Sequence, residues 1–124
     1  MKALFDTNIL IDYLNGIEMA RQEIARYEQA SISLVTWIEV LVGTTADEEP
    51  IIRGFLHRFV VLGIDRTVAE QAIALRKARR IKLPDAIVQA TAIVEGAVLI
   101  TRNTKDFPPD TAGIRIPYVL DPAV

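Results

Sequence analysis

KALFDTNILIDYL, residues 2–14, is the stretch that decides the fold this sequence predicts. Its first four residues are mostly apolar and predict a short buried strand. Asp6 and the two polar residues after it favour the start of a helix, because such side chains accept hydrogen bonds from free backbone N–H groups. An apolar run from Ile9 to Leu14 continues the helix, and Gly16 ends it. A strand that leads directly into a helix is typical of an α/β fold.

The rest of the chain repeats this alternation. Thr36 is expected to begin one helix, Thr67 to cap another, and Gly96 to end a third. Further strands are predicted at 31–35, 60–64, 97–101 and near 114–118, and further helices at 18–29, 36–42, 51–59, 68–80 and 84–95. Because parallel strands are joined by right-handed crossovers, we expect a central, mostly parallel sheet with helices on both faces, a three-layer α/β/α fold. A length of 124 residues suits one domain over residues 1–124.

The composition predicts a sizeable core with apolar surface left over. Hydrophobic residues make up 51% of the chain, and the mean hydropathy is +0.27. We therefore expect a protein partner or self-association. We expect no membrane span, since Glu39 and Glu95 interrupt the two longest apolar runs. Asp6 and Asp12 interrupt the apolar stretch that a signal peptide needs, so the cytoplasm is the expected location.

The charges are unevenly distributed along the chain. A formal net charge of -2 argues mildly against a passive nucleic-acid binder, which usually has a basic surplus. Residues 76–82, RKARRIK, nevertheless hold five of the fourteen basic side chains. We predict that they contact an RNA backbone, although an exposed face with solvated charges is the alternative. The residues concerned are Arg76, Lys77, Arg79, Arg80 and Lys82.

Three acidic residues follow predicted strands or begin a predicted helix. Asp6 follows the first strand, where its ordinary role is to cap the next helix. Asp85 stands in a first helical turn, where the helix dipole favours an acid. Asp106 lies in the polar loop TRNTKDF, where an Asp ordinarily stabilises a turn. Each acid alone therefore has a structural explanation.

Glu39 is a different case, because its predicted helix carries apolar residues on every side. No Lys or Arg occurs between Arg26 and Arg53 to act as a local partner. A buried carboxylate must be paired or must coordinate a cation, so we expect a functional role. A distant arginine, or simple exposure at the end of the helix, would remove the need for one.

Together the four acids predict a metal site. The carboxyl ends of parallel strands meet at one sheet edge, which brings at least Asp6 and the loop of Asp106 together. Repulsion among the acids would be relieved by a divalent cation. The chain has no cysteine and one histidine, so oxygen ligands that suit Mg²⁺ or Mn²⁺ are expected. One or two such ions would activate water and stabilise a phosphodiester undergoing hydrolysis.

At this point the chain resembles a known family, the PIN domain, and in particular the VapC-type toxins of bacterial and archaeal toxin–antitoxin pairs. The resemblance extends over the whole chain, and its specificity comes from four motifs in this order and spacing. The motifs are FDTNILIDYL (5–14), TWIEVLVG (36–43), LPDAIVQATAIVEG (83–96) and LITRNTKDF (99–107).

The resemblance implies an endoribonuclease that uses Mg²⁺ or Mn²⁺, forms a homodimer and is inhibited by a cognate antitoxin. The positions that match the family's acidic metal-binding residues are Asp6, Glu39, Asp85 and Asp106. The positions that match its supporting polar residues are Asn8, Thr101 and Asn103. Together with the apolar surplus, the resemblance predicts a dimer interface that involves the Trp37 helix and the helix 68–80.

Three other classes of protein share parts of this pattern. An aspartate-based phosphatase needs a second Asp two positions after the first, where this chain has Asn8. A receiver-like domain would use Thr101, Lys105 and a phosphoacceptor such as Asp65, but no acid pairs with Asp6. A non-catalytic interaction module, whose carboxylates receive a partner's arginine, is the alternative from a different functional class.

Overall fold

The computed structural model describes residues 2–120, and in this range five strands form one parallel sheet. The strands are β1 (Lys2–Phe5), β2 (Gln29–Ser33), β3 (Val60–Leu62), β4 (Val98–Ile100) and β5 (Ile114–Arg115). The helices are α1 (Thr7–Leu14), α2 (Glu18–Ala25), α3 (Leu34–Val42), α4 (Glu49–Leu56), α5 (Arg66–Ala78) and α6 (Leu83–Glu95). The sheet order is β3-β2-β1-β4-β5, which confirms the predicted α/β class.

Strand β1 lies at the centre of the sheet, and its residues face two different cores. Ala3 and Phe5 join a cluster formed with α1 to α4, whereas Leu4 and Leu99 join a cluster formed with α5 and α6. All four side chains are fully buried. A strand covered on both faces is expected to be a continuous apolar run, as KALF nearly is. Helices therefore cover both faces, which confirms the three-layer arrangement.

The second strand and the helix after it both begin two residues earlier than the sequence pattern predicted. Strand β2 ends at Ser33, whose side-chain oxygen accepts a hydrogen bond from the backbone N–H of Val35 at 3.1 Å and caps α3. Thr36, the expected first residue, is fully buried within the helix. Helix α2 ends at Ala25 rather than at residue 29, because Gln29 already belongs to β2.

Helix α5 also begins two residues earlier than predicted. Its cap is Asp65, whose Oδ1 accepts a hydrogen bond from the Val68 N–H at 2.9 Å, and not Thr67. The other predicted bounds shift in the same way: α4 spans Glu49–Leu56 rather than 51–59, and α5 ends at Ala78 rather than at residue 80. Strands β3, β4 and β5 are shorter than expected.

Helix α6 matches the prediction closely and ends at Gly96, which adopts the left-handed conformation (φ 63°). That conformation is favourable only for glycine and a few polar residues. None of the helices within residues 2–120 is long and apolar enough to cross a membrane. Because all five strands run parallel, Asp6 after β1 and Thr101 after β4 share one edge of the sheet, and the Asp6 N–H donates to the Ile100 carbonyl at 2.9 Å.

Candidate metal centre

Asp6 is a helix cap whose carboxylate is also held from other directions. Its Oδ1 accepts a hydrogen bond from the Thr7 N–H at 2.8 Å, and its Oδ2 accepts from the Thr101 hydroxyl at 2.8 Å and from Asn8 Nδ2 at 3.3 Å. Burial raises the pKa of Asp6 above its ordinary value, and these hydrogen bonds offset the rise only in part. No cation is among the partners. The buried carboxylate is therefore fixed in orientation without being neutralised.

The Thr101 hydroxyl is the centre of this network. It donates to Asp6 and accepts from Asn8 Nδ2 at 3.1 Å and from the Asn103 N–H at 3.0 Å. The amide oxygen of Asn8 in turn accepts from the Arg102 N–H at 3.1 Å. The supporting polar positions that the resemblance implied are thus brought together, and each has a definite partner. Threonine and asparagine are needed here because they donate and accept at the same time.

Asp85, in the first turn of α6, is half-buried and lies against Asp106. Burial and then the negative charges of Asp6, Asp106 and Glu39 raise the pKa of Asp85 to about 6. Asp6, Asp106 and Glu39 therefore lie close enough to Asp85 to affect its protonation. Such mutual repulsion is what a cluster of metal ligands produces before the metal arrives.

The loop that carries Asp106 is tied down on two sides. Asn103 Nδ2 donates to Asp106 Oδ2 at 2.9 Å, and the Asp106 N–H donates to Asn103 Oδ1 at 3.2 Å. Arg79 donates to the Asp106 carbonyl at 2.8 Å and to Gln89 Oε1 at 2.5 Å, with its guanidinium 5.9 Å from the centre of the Phe107 ring. Arg79 thus links α6 to the loop of Asp106.

Glu39 belongs to the site for a different reason from the one the sequence suggested. The expectation of a buried carboxylate was wrong: Glu39 is exposed, as is Ile38 beside it at 46%. Helix α3 is apolar all round, but one of its faces is left uncovered. The Thr7 hydroxyl donates to Glu39 Oε1 at 2.6 Å and lies 3.0 Å from the hydroxyl of buried Thr36. That contact joins Glu39 to the residue next to Asp6.

These side chains surround an open cleft of about 400 Å³ beyond the carboxyl ends of the strands. In such sheets this is the usual position of a ligand site. The residues that line the cleft are Asp6, Thr7, Asn8, Ile11, Glu39, Asp85, Arg102 and Asn103. Asp106 is not among the residues that line the cleft, but it lies against Asp85, which does line it.

The donor set fits a hard divalent cation. Three carboxylates line the cleft, and a fourth lies against Asp85. The side-chain atoms available as ligands are carboxylate, hydroxyl and amide oxygens. Within residues 2–120, no three acidic or histidine side chains converge into a ready-made cage. Mg²⁺ normally keeps several of its waters and uses only one or two carboxylates directly, so an open arrangement suits it. The residues that would hold the ion are Asp6, Glu39, Asp85 and Asp106.

The basic stretch divides into two parts in the structure. Arg79 is half-buried and occupied with the loop of Asp106, whereas Arg76, Lys77, Arg80 and Lys82 are exposed. Lys82 immediately precedes α6 and stands three residues before Asp85. RNA binding by these side chains stays a prediction. Within residues 2–120, the four exposed side chains do not share the structural role of Arg79.

Sequence reasoning missed a second buried acid, Asp12, and its partners Arg102 and Tyr118. Asp12 is 4% exposed and receives two hydrogen bonds from the Arg102 guanidinium, at 2.5 and 2.9 Å. The Tyr118 hydroxyl donates to the same carboxylate at 2.8 Å. A signal was present: Asp12 interrupts an apolar run four residues after Asn8, which puts both on one face of the helix.

The structure combines a parallel α/β sheet with an acidic cleft at its carboxyl edge, the usual position of a ligand site in such folds. The family model of the PIN domain matches residues 3–108, so the chain belongs to the PIN-domain family. The expected likeness to VapC-type toxins is confirmed by the solved structures below. Among curated proteins no match was found.

Several solved structures resemble this chain over nearly its whole length. A toxin–antitoxin complex from Klebsiella pneumoniae includes a chain 45% identical, with a TM-score of 0.91 over 96% of this chain and 100% of that one. A DNA-bound VapBC from Salmonella typhimurium is 26% identical, with a TM-score of 0.76 over 94% and 96%. FitAcB from Neisseria gonorrhoeae is 21% identical, with a TM-score of 0.78 over 95% and 99%, a likeness that concerns the fold.

Proposed function

We propose that this protein is an endoribonuclease that uses Mg²⁺ or Mn²⁺ to hydrolyse RNA phosphodiester bonds, and that it is the toxin of a toxin–antitoxin pair. The observation that carries the proposal is the uncompensated charge of the cleft. Asp6, Glu39 and Asp85 line it together, and its one lining cation, Arg102, is bound to Asp12 instead. Membership of the PIN-domain family supports the same reaction class.

Each side chain has a distinct part in this mechanism. A bound divalent ion would lower the pKa of a coordinated water and offset charge that develops on a phosphate. Thr101 and Asn8 hold Asp6 in one orientation, so this ligand loses little entropy when it binds. Asn103 orients the carboxylate of Asp106 in the same way. The cleft is open to solvent beside the proposed metal ligands, which allows a polynucleotide to lie across it.

An antitoxin partner is proposed on the basis of the relatives and of a second groove. The structures from Klebsiella pneumoniae and Salmonella typhimurium are complexes of toxin with antitoxin. Here an apolar groove of about 430 Å³ between α1, α3 and α4 adjoins the cleft, since Ile11 lines both. Ile51 lines the groove and is 76% exposed. A partner helix seated in this groove would reach the acids.

Self-association as a homodimer is proposed from the exposed apolar residues. Ile38 and Val42 on α3 are 46% and 80% exposed, and Ile73 on α5 is 48% exposed. These belong to the two helices that the sequence suggested as an interface. Twofold pairing is the commonest closed symmetry and would set two acidic clefts side by side. Sedimentation at micromolar concentration should give the mass of a dimer, and a monomer would overturn this part of the proposal.

Two experiments test the proposed activity. Purified protein should cleave RNA in Mg²⁺ or Mn²⁺, stop in chelator, and bind the metal in a calorimetric titration. A non-catalytic module would neither bind the metal nor cleave RNA, so the same titration separates the two functions. Mapping the cleaved ends on total RNA would then identify the substrate class. For the partner, Ile51→Glu should weaken antitoxin binding without slowing cleavage. Ile93→Glu, at an exposed position of α6 outside the groove, should leave both antitoxin binding and cleavage unchanged.

A further inference from the structure

The proposed activity does not explain why an arginine stands among the carboxylates of the cleft. Arg102 lines the cleft with Asp6, Glu39 and Asp85, yet its guanidinium makes its ion pair elsewhere. Nε donates to Asp12 Oδ2 at 2.5 Å and Nη2 donates to Asp12 Oδ1 at 2.9 Å. This two-point pairing is the strong and directional form of an arginine–carboxylate contact.

The pair is fixed from both ends. Asp12 is 4% exposed on α1, and the Tyr118 hydroxyl donates to its Oδ2 at 2.8 Å, so both carboxylate oxygens accept hydrogen bonds. The backbone N–H of Arg102 donates to Asn8 Oδ1, and Asn8 also contacts Asp6. The guanidinium therefore has one orientation and cannot turn toward the acids without breaking two charged hydrogen bonds.

Part of the guanidinium stays available to a ligand. The side chain is 29% exposed, and within residues 2–120 its Nη1 group has no protein acceptor. A fixed guanidinium with free N–H groups is the chemistry that recognises a phosphate. Polynucleotide phosphates must cross this cleft if the carboxylates hold the ion that cleaves them. Among the described residues that line the cleft, Arg102 is the only cation, and it is then the natural contact for a phosphate beside the scissile one.

We propose that Arg102 is a phosphate-binding residue for the RNA substrate, and that Asp12 and Tyr118 are positioning residues that hold it at the rim of the cleft and away from the metal ligands. The inference rests on the proposed nuclease function. It adds a substrate contact outside the basic stretch of residues 76–82.

The chain contains a matched control. Glu23 on α2 is 4% exposed and receives two hydrogen bonds from Arg115, at 2.7 and 3.2 Å. The Tyr27 hydroxyl donates to Glu23 at 3.2 Å. The arrangement resembles that of Asp12, with an arginine of comparable exposure (37% against 29%) and a further contact from exposed Arg26 at 3.2 Å, but none of its residues lines the cleft. A merely structural role predicts equal behaviour of the two ion pairs.

The experiment compares two double variants in an Asp85→Asn background, chosen so that RNA is bound and not cut. Asp12→Asn/Arg102→Gln and Glu23→Gln/Arg115→Gln each remove an ion pair without leaving a buried charge. Fluorescence anisotropy with a labelled single-stranded RNA gives the Kd over a range of salt concentrations. We expect the Arg102 double variant to bind about tenfold or more weakly, as for a lost hydrogen bond to a charged group. Its salt slope should fall by about 0.7, and the Arg115 double variant should match the background.

Arg102→Lys covers the case in which the double variant fails to fold. Lysine keeps a charge beside Asp12 but lacks the fork that serves two acceptors at once. RNA binding should weaken about threefold or more with little change in the salt slope. Equal Kd values for Arg102→Lys and the background, or for the two double variants, would overturn the inference. If the Asp85→Asn protein binds no RNA, the double variants are compared in the wild-type background in chelator, where RNA is not cut. Absence of RNA binding there as well would overturn the proposed function and this inference together.

Discussion

Two kinds of buried carboxylate occur in this protein, and they differ in whether the fold supplies a positive charge. Asp12 and Glu23 each receive an arginine through two hydrogen bonds and a tyrosine hydroxyl through a third, and Glu23 receives a fourth hydrogen bond from Arg26. Asp6 is as deeply buried as either, but it receives only a hydroxyl, an amide and a backbone N–H. Burial alone therefore does not mark a functional acid here. We propose that the absence of a cation among an acid's partners within residues 2–120 does.

The pKa values follow the same division. Burial acts to raise the pKa of Glu23, but the hydrogen bond and charge of Arg115 outweigh it and leave that pKa below its ordinary value. Burial raises the pKa of Asp6 and Asp85, and for Asp85 the neighbouring acids raise it further, to about 6. Folding itself provides a positive charge for the paired acids, and we propose that the acids of the cleft gain one only when a cation binds.

The largest expected effect comes from neutralising the unpaired acids. Asp6→Asn and Asp85→Asn should each reduce RNA cleavage by at least about a hundredfold, because metal catalysis supplies several kcal/mol of the barrier reduction. Cleavage of a labelled RNA in Mg²⁺ or Mn²⁺ measures the loss. Asp110→Asn, an exposed acid outside the cleft, is the control and should stay active. Full activity in both cleft variants would remove the basis of the comparison.

The next largest effect should come from breaking a paired acid. Arg115→Gln leaves buried Glu23 with Arg26 as its remaining cation and should lower the free energy of unfolding by about 2 kcal/mol, below the usual cost because Arg115 is partly exposed and Arg26 stays in place. Glu23→Gln/Arg115→Gln should recover most of that loss. Arg21→Gln breaks the exposed pair with Glu18 and should leave the free energy of unfolding nearly unchanged, because solvent screens this pair. Urea unfolding at neutral pH measures all three variants, and equal losses would contradict the prediction.

A smaller effect should appear in the pH dependence of the metal-free protein. Burial and the neighbouring acids raise the folded-state pKa of Asp85 from its ordinary value of 3.8 to about 6, so the ionised form is disfavoured by folding. This contribution to stability is fully present below about pH 4 and is lost as the pH rises through about 6. Asp85→Asn should flatten the profile and, in chelator at pH 8, melt at or above the wild-type temperature.

Metal reverses the order of stability in that experiment. In excess Mg²⁺ the wild type should gain more stability than Asp85→Asn, because a ligand that binds only the native state stabilises it in proportion to occupancy. Asp6→Ala is a useful companion, since alanine removes the helix cap as well and should cost about 1 kcal/mol in chelator. Identical melting shifts of wild type and Asp85→Asn on addition of Mg²⁺ would argue against Asp85 as a ligand.

Much of the fold could be predicted because its decisive signals are local. The strand KALF, the cap at Asp6 and the stop at Gly96 depend on residues adjacent in the chain, and all three stand as predicted. The errors at β2 and α5 also have a local cause. Ser33 and Asp65 cap their helices in place of Thr36 and Thr67, and any of these residue types can cap. Choosing between them depends on where the strand leaves the sheet.

The site was less predictable, because its pairings are distant in sequence. Thr101 and Asp6 are 95 residues apart, and Tyr118 and Asp12 are 106 apart. The resemblance to the PIN-domain family supplied the four acids, but neither it nor the local pattern identified Arg102 as a partner of Asp12. Glu39 was expected to be buried, since a helix apolar all round usually is. One uncovered face was enough to reverse that expectation.

The smallest expected effect separates two arginines that are adjacent in the chain. Arg79 serves the loop of an unpaired acid, through its hydrogen bond to the Asp106 carbonyl, whereas Arg80 is exposed and predicted to contact RNA. Arg79→Gln should lower the free energy of unfolding by about 1 kcal/mol and reduce kcat, because the two neutral acceptors, the Asp106 carbonyl and Gln89 Oε1, lose their charged donor. Arg80→Gln should leave stability and kcat unchanged, weaken RNA binding about threefold and lower the salt slope by about 0.7. Arg66→Gln, exposed at the other end of α5, is the control for charge alone. Chemical unfolding, steady-state kinetics and anisotropy together assign each arginine. If Arg79→Gln changed only RNA binding, its contact with the Asp106 loop would have no functional consequence, and the basic stretch would act as one surface.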